Sequence, residues 1–137
     1  MSRIVLDASV TLSWCFPDEQ TPLSLQVLDR LKAGDEAVVP FFWSVEVLNA
    51  LLVGERRGRI SPAQTAAFLD TLSVLTPLID YATLEHINGP IQNICRAHGL
   101  TPYDALYVEL AMRGRCPLAT QDEGQKRVAA ALKVECL

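Results

Sequence analysis

No paired-cysteine motif occurs in this sequence. Its four cysteines, Cys15, Cys95, Cys116 and Cys136, are scattered, and neither histidine, His86 or His98, lies near a pair of them. Zinc sites want clustered thiolates and imidazoles, so a zinc module is excluded and reduced, mostly buried thiols are expected. Long hydrophobic runs are missing too. No stretch reaches the roughly 18 apolar residues that a membrane span requires. The greasiest, Phe41 to Val53, is interrupted by Ser44, Glu46 and Asn49. Asp7 breaks the short apolar stretch near the N-terminus and no small-residue cleavage site follows, so a signal peptide is not expected. The reading is a soluble, cytoplasmic protein without a membrane partner. Positive charge is also in short supply. With 12 Lys and Arg against 16 Asp and Glu, the formal net charge is −4. That excludes a protein that coats nucleic acid by bulk electrostatics. It leaves room for a nucleic-acid enzyme, because a cation reverses the local sign of an acidic pocket and basic groups can be confined to its rim.

What is present suffices for one globular domain over residues 1–137, half hydrophobic and a fifth charged. Nothing repeats and no linker is visible. Short β-like runs alternate with helical ones. Arg3–Asp7 reads as a buried strand, and Leu23, Val27, Leu28 and Leu31 as a helix stopped by Gly34. Ala37–Val39 is a second strand, closed by Pro40. A helix follows from about Phe42 to Arg57, and Ser61-Pro62-Ala63-Gln64 opens its hairpin partner with a capping box. Pro77–Tyr81 is a third strand. Leu84, Ile87, Ile91, Ile94 and Cys95 then recur at helical spacing, with Gly89-Pro90 kinking or splitting the segment. Thr101-Pro102 starts a helix with Leu106, Tyr107, Leu110 and Ala111 inward. Pro117–Thr120 is a short strand and about Glu123–Ala131 a last helix. The strands number four, or five if Leu132–Cys136 forms one. Strands separated by helices imply an α/β fold with a parallel sheet covered on both faces.

In open parallel sheets, active sites lie beyond the carboxyl ends of the strands. Asp7 ends the first strand there, although it would serve equally well as the cap of a helix beginning near Ser9. Glu46 sits in a helix that is apolar nearly all round, which predicts that the helix is largely buried. A buried carboxylate survives only if protonated, paired or bound to a cation, and no Lys or Arg lies within a helical turn. A metal ion, or a basic group from elsewhere, is the natural remedy. Asp104 completes a capping-box pattern after Thr101, with Asp in place of Glu, and that alone would explain it. Asp122 follows the Pro117–Thr120 strand and could be an N-cap, with Glu123 an ordinary first-turn acid. Asp80 also ends a strand-like run and competes with these candidates. The remaining acids, among them Asp18, Glu19, Asp35 and Glu36, read as solvated charge. Arg56 and Arg57 read as a helix end whose cations suit the dipole, while Arg59, Arg113, Arg115, Lys126 and Arg127 are equally open to phosphate contact.

Four stretches, in order and with ordinary spacing, carry a likeness that covers essentially the whole chain. They are Ile4-Val5-Leu6-Asp7-Ala8-Ser9-Val10 with Trp14 and Pro17-Asp18-Glu19; Pro40 through Trp43 with Glu46 and Asn49-Ala50-Leu51; Leu100-Thr101-Pro102-Tyr103-Asp104-Ala105; and Pro117-Leu118-Ala119-Thr120-Gln121-Asp122. On these residues the chain resembles the PIN-domain family, most closely its VapC-type toxins from bacterial toxin–antitoxin pairs. The resemblance implies a three-layer α/β/α sandwich around a parallel sheet of four or five strands. It implies an Mg²⁺- or Mn²⁺-dependent endoribonuclease that hydrolyses RNA phosphodiesters with a metal-activated water. Asp7, Glu46, Asp104 and Asp122 take the catalytic and metal-ligating places. Ser9 and Thr120 match positions that hydrogen-bond to these acids, and Asn49, in the same stretch as Glu46, is grouped with them. Asp80 has no counterpart. Hard divalent ions want oxygen ligands, which carboxylates supply and thiols do not. Homodimers are also implied, with a cognate antitoxin in an apolar groove that Trp14, Phe16, Leu51 and Leu52 would line if they are not simply core. One departure falls after Asp122, where such domains usually carry an apolar residue three positions on and this chain has Gln125. The competing readings are a non-catalytic PIN-like module that binds RNA or protein, and a receiver-like phosphoryl-transfer domain. The second would want a paired acid near Asp7 and a lysine after a later strand.

Overall fold

Ile4, Val5 and Leu6 have no exposed surface, as a strand covered on both faces requires. They form β1 (Arg3–Leu6) at the centre of the computed structural model, which describes residues 2–137. β2 (Glu36–Pro40), β3 (Leu78–Asp80) and β4 (Leu118–Ala119) complete one parallel sheet in the order β3-β2-β1-β4. Helices α1 (Ala8–Ser13), α2 (Pro22–Lys32), α3 (Trp43–Arg56), α4 (Pro62–Ser73), α5 (Leu84–His86), α6 (Gln92–His98), α7 (Pro102–Gly114) and α8 (Glu123–Ala131) occupy the connections and flank the sheet in three layers. The chain leaves β1 for β2 on one side and returns to pair β4 on the other. The carboxyl ends of β1 and β4 therefore bound the crevice where open α/β sheets place their ligands. No helix among the described residues is long and apolar enough to cross a membrane.

The helix that fixes the crevice is α7. Every residue from Ala105 to Ala111 is buried, a wider inward face than the four expected positions. It packs on β1, β2 and β4. Thr101 caps its start, accepting from the Asp104 N–H at 3.3 Å. Ser61 and Gln64 form the expected reciprocal capping box on α4, at 3.1 and 2.9 Å.

Two open points are settled and one expectation is corrected. The fifth strand is a single parallel bridge between Cys136 and Leu118. Lys133 takes a left-handed turn (φ 59°), which uses up the start of the segment before it reaches β4, itself two residues long. Gly89-Pro90 produces a π-type turn over Ile87–Ile91 between α5 and α6. Pro90 has no N–H for the regular ladder, and the extra residue in the turn absorbs the gap. Finally, α3 is not buried all round. Trp43, Val47, Leu51 and Gly54 face inward, while Val45 (66% exposed), Leu48 and Leu52 face solvent. The helix lies in an outer layer with α1 and α4 as its main neighbours, so its far face is left uncovered.

On the inner face of α3, Gly54 allows the Phe16 ring to close on the helix. A Cβ there would stand 2.9 Å from Phe16 Cζ and 3.1 Å from Ile60 Cγ2. Gly54→Ala would gain about 1 kcal/mol of helix propensity. Overpacking of a buried ring costs about 1–3 kcal/mol. A net loss of about 1 kcal/mol is expected in urea unfolding; a variant as stable as the parent would show that the ring gives way freely.

Candidate active site

Asp7 leaves β1 and caps α1, so the capping reading is correct as far as it goes. The carboxylate is only 5% exposed. One of its oxygens accepts from the Ser9 hydroxyl at 2.5 Å, the Ser9 N–H at 3.3 Å and the Thr120 hydroxyl at 3.0 Å. The other accepts from Gln125 Nε2 at 3.2 Å. Both hydroxyls are themselves acceptors: Ser9 Oγ from the Gln121 N–H at 2.9 Å, and Thr120 Oγ1 from the Asp122 N–H at 3.0 Å. Ser9 and Thr120 thus lash the segment after β4 to the end of β1.

Glu46, in the first turn of α3, does have a partner. The Tyr107 hydroxyl of α7 donates to its Oε1 at 2.6 Å. The basic group considered from sequence is replaced by a phenol, one α7 turn beyond Asp104. Burial raises the Glu46 pKa; the Tyr107 bond opposes this, and the charges of Asp7 and Asp104 add to it. Burial first, and then Asp7 and Glu46, hold the Tyr107 hydroxyl far above the usual phenol range, so it remains a donor. Its ring meets Phe42 edge-on at 5.8 Å.

Asp104 forms half of the capping box anticipated for it. Its N–H is capped by Thr101, but its side chain does not reach back to the Thr101 N–H. Asp104 Oδ1 instead accepts from Gln125 Nε2 at 3.1 Å. Burial raises its pKa against that bond, with the charges of Asp122 and Asp7 adding to the rise. Asp122 is the N-cap of α8, accepting from the Gln125 N–H at 2.8 Å.

The structure brings all four acids, Asp7, Glu46, Asp104 and Asp122, to the wall of one cavity of about 400 Å³, together with Ser9 and Asn49. Thr120 stands behind Asp7. Sequence reasoning missed three further residues. Glu19, read as solvated, lines this cavity, while its carboxylate meets Arg59 at 3.2 Å and its carbonyl accepts from Gln121 Nε2 at 3.2 Å. Tyr107 lies three residues after Asp104 and so shares its helix face, a signal available from spacing. Gln125 was noticed only as a departure from an apolar position. Asp80 is drawn elsewhere by a two-pronged ion pair with Arg113, at 2.7 and 3.1 Å, which also binds the buried Glu109 at 2.9 Å. Of the cations left open, Arg113 is committed to that network, Arg59 to Asp18 and Glu19, and Arg127 to the His98 carbonyl. Trp14, Phe16, Leu51 and Leu52 do not form one groove. Phe16 and Leu51 are core, Trp14 is partly buried with its Nε1 on the Ser24 carbonyl at 2.8 Å, and Leu52 is on the open face of α3.

The donor set fits a hard divalent cation, since oxygens dominate and no thiol or imidazole lines the cavity. The carboxylates are not drawn together on one point. Among the described residues no group of three or more His, Cys, Asp or Glu side chains is placed to hold a metal ion. The hydrogen bonds give the physical reason. Glu46 is turned to Tyr107 and Asp122 to its own helix, which leaves only Asp7 and Asp104 side by side at Gln125.

A family model described as PIN domain matches residues 4–131. Among curated proteins, none matches the chain in sequence. Solved structures share the fold. The crystal structure of PAE2754 from Pyrobaculum aerophilum is 19% identical with a TM-score of 0.68, over 93% of this chain and 84% of that one. FitAcB from Neisseria gonorrhoeae is 17% identical with a TM-score of 0.64, over 98% and 96%. VapBC2 from Rickettsia felis, bound to a DNA fragment from their promoter, is 18% identical with a TM-score of 0.59, over 93% of each.

A raised carboxyl pKa means that the folded protein holds a proton that the unfolded chain has released. Glu46 therefore costs stability as pH rises out of the ordinary carboxylate range, and the cost persists above its folded pKa. Glu46→Gln retains an acceptor for Tyr107 without the charge. In chelator, the melting temperature of this variant relative to the parent is expected to rise between about pH 4 and about pH 7. A pH-independent difference would contradict the shift.

Proposed function

Because the chain belongs to the PIN-domain family, we propose that it is a metal-dependent endoribonuclease and the toxin of a toxin–antitoxin pair. One observation carries the reading: carboxylates from four separate elements, the end of β1, α3, α7 and the start of α8, line one cavity at the carboxyl ends of β1 and β4. Convergence of that kind is costly in like-charge repulsion, and a polyanion-cleaving site that uses cations is a function that accounts for it. Asp7, Glu46, Asp104 and Asp122 would hold Mg²⁺ or Mn²⁺, which supplies water activation and neutralises charge on the scissile phosphate. The chain's own contributions are orientation and proton control. Ser9 and Thr120 fix one Asp7 oxygen, and the other accepts from the Gln125 amide. Tyr107 holds Glu46 from behind, with its phenol kept protonated. Asn49 adds an amide beside Glu46 in the cavity wall.

The open face of α3, with Val45, Leu48 and Leu52, supports a protein partner, which in this reading is the cognate antitoxin or a second copy of the chain. The VapBC2 structure carries the name of the toxin type whose residues the sequence resembles. A cytoplasmic location goes with an RNA substrate. A receiver-like phosphoryl acceptor would call for a lysine beside Asp7, and the cavity has none.

Purified protein is expected to cleave RNA with Mg²⁺ or Mn²⁺, and Asp7→Asn and Asp104→Asn to lose on the order of 100-fold or more of that activity. Asp104→Asn is the better control for folding, because Asp104 is less buried than Asp7. Circular dichroism should show both variants folded. Full cleavage by either variant, or in excess EDTA, would sink the nuclease reading; growth arrest that persists when the neighbouring gene product is co-expressed would sink the toxin–antitoxin pairing.

A further inference from the structure

The remaining polar group at the cavity is the Gln125 side chain, which is 1% exposed. A primary amide nitrogen has two protons to give. Both are committed to carboxylates from different elements: Asp7 Oδ1 at 3.2 Å, at the end of β1, and Asp104 Oδ1 at 3.1 Å, in the first turn of α7. The backbone N–H of the same residue donates to Asp122 at 2.8 Å. One residue therefore holds three of the four acids. Its Oε1, by contrast, is buried without any hydrogen-bond partner. A buried carbonyl oxygen left unpaired costs free energy, so this arrangement persists because of what the nitrogen does. The opposite orientation of the amide would press Oε1 against two carboxylate oxygens.

We propose that Gln125 is a positioning residue, its amide tying Asp7 to Asp104 so that the two acids stay assembled and aimed in the metal-free protein. The proposal rests on the metal-dependent reading of the site. Two neighbouring carboxylates repel, and an apolar side chain at this position would leave them to separate or to hold a proton between them. A lysine would join them but cancel the charge that attracts a cation. An amide joins them and leaves the negative charge in place. Because Ser9 and Thr120 already occupy the other Asp7 oxygen, Gln125 also sets the direction of the lone pair that Oδ1 still has free. Partners that orient ligand carboxylates typically alter metal affinity by about 10–100-fold when removed.

Two substitutions separate this from a packing role. Gln125→Met keeps the length and the backbone N–H but removes the amide; Gln125→Glu keeps an acceptor and turns the donor into a third acid. Mn²⁺ alone is titrated calorimetrically into each protein without RNA, and melting temperatures are compared in EDTA and in Mn²⁺. Gln125→Met is expected to stay folded and to bind Mn²⁺ about 10–100-fold more weakly. Gln125→Glu should melt below the parent in EDTA and gain more from Mn²⁺ than the parent does. Parental Mn²⁺ affinity in folded Gln125→Met, or parental melting of Gln125→Glu in EDTA, overturns the proposal. If Gln125→Met does not fold, the Gln125→Glu comparison decides. Failure of the parent itself to bind Mn²⁺ overturns the metal reading instead, and the EDTA comparison still decides whether the amide ties the acids.

Discussion

A carboxylate almost without solvent, at the end of the central strand, sets the conditions for everything around it. Asp7 needs donors, because burying an unpaired charge costs more than most single interactions return. It finds them in Ser9, Thr120 and Gln125, from the start of α1, the residue after β4 and the first turn of α8. The demand is reciprocal. The same hydroxyls that donate to Asp7 accept from the backbone of Gln121 and Asp122, so the course of the chain after β4 follows from the needs of one side chain on β1. Asp122 then lies at the cavity as the cap of α8, and Gln125 comes to rest between Asp7 and Asp104.

Glu46 enters this cluster on different terms. Its partner is a phenol that remains protonated at any ordinary pH, so Tyr107 gives Glu46 direction without giving it countercharge. Burial raises the pKa of Glu46 and of Asp104, outweighing the hydrogen bond in each case. Glu46 and Asp104 hold their protons more tightly than usual, while Asp7 is surrounded by hydrogen-bond donors. In the reading proposed above, a cation would compete with protons at Glu46 and Asp104.

Much of this was legible because it is local. The three consecutive apolar residues of β1, the capping box at Ser61 and the break at Gly89-Pro90 each state a backbone requirement within a few residues. The rule that places sites at strand carboxyl ends was enough to bring Asp7 and Asp122 toward one crevice. What failed required knowing which layers lie over which. The apolar composition of α3 predicted a largely buried helix, but a helix in an outer layer has covering neighbours on one side only. At Asp104 the capping-box spacing was a correct statement about the backbone, and Thr101 does cap the helix. The side chain was claimed instead by an amide 21 residues away in sequence. Gln125 was visible as an anomaly, a polar residue where an apolar one was expected. Its meaning depended on two carboxylates that the fold alone brings to it.

Five of the 12 Lys and Arg side chains stand in ion pairs among the described residues. Arg113 is held by Asp80 and Glu109, and Arg59 by Asp18 and Glu19 while stacked 4.2 Å above Phe16. These pairs brace the fold. Arg56 and Arg57, the residues that sequence reasoning set aside as an ordinary helix end, are exposed and in no ion pair among the described residues. A polyanion approaching an acidic cavity on a chain of net charge −4 meets repulsion unless some group offsets it. In the reading proposed above, the offset would fall to exposed cations such as this pair and Arg115, and to the divalent ion the acids would hold. Substrate attraction and catalysis would then draw on the same bound charge, and the tie at Gln125 would bear on both.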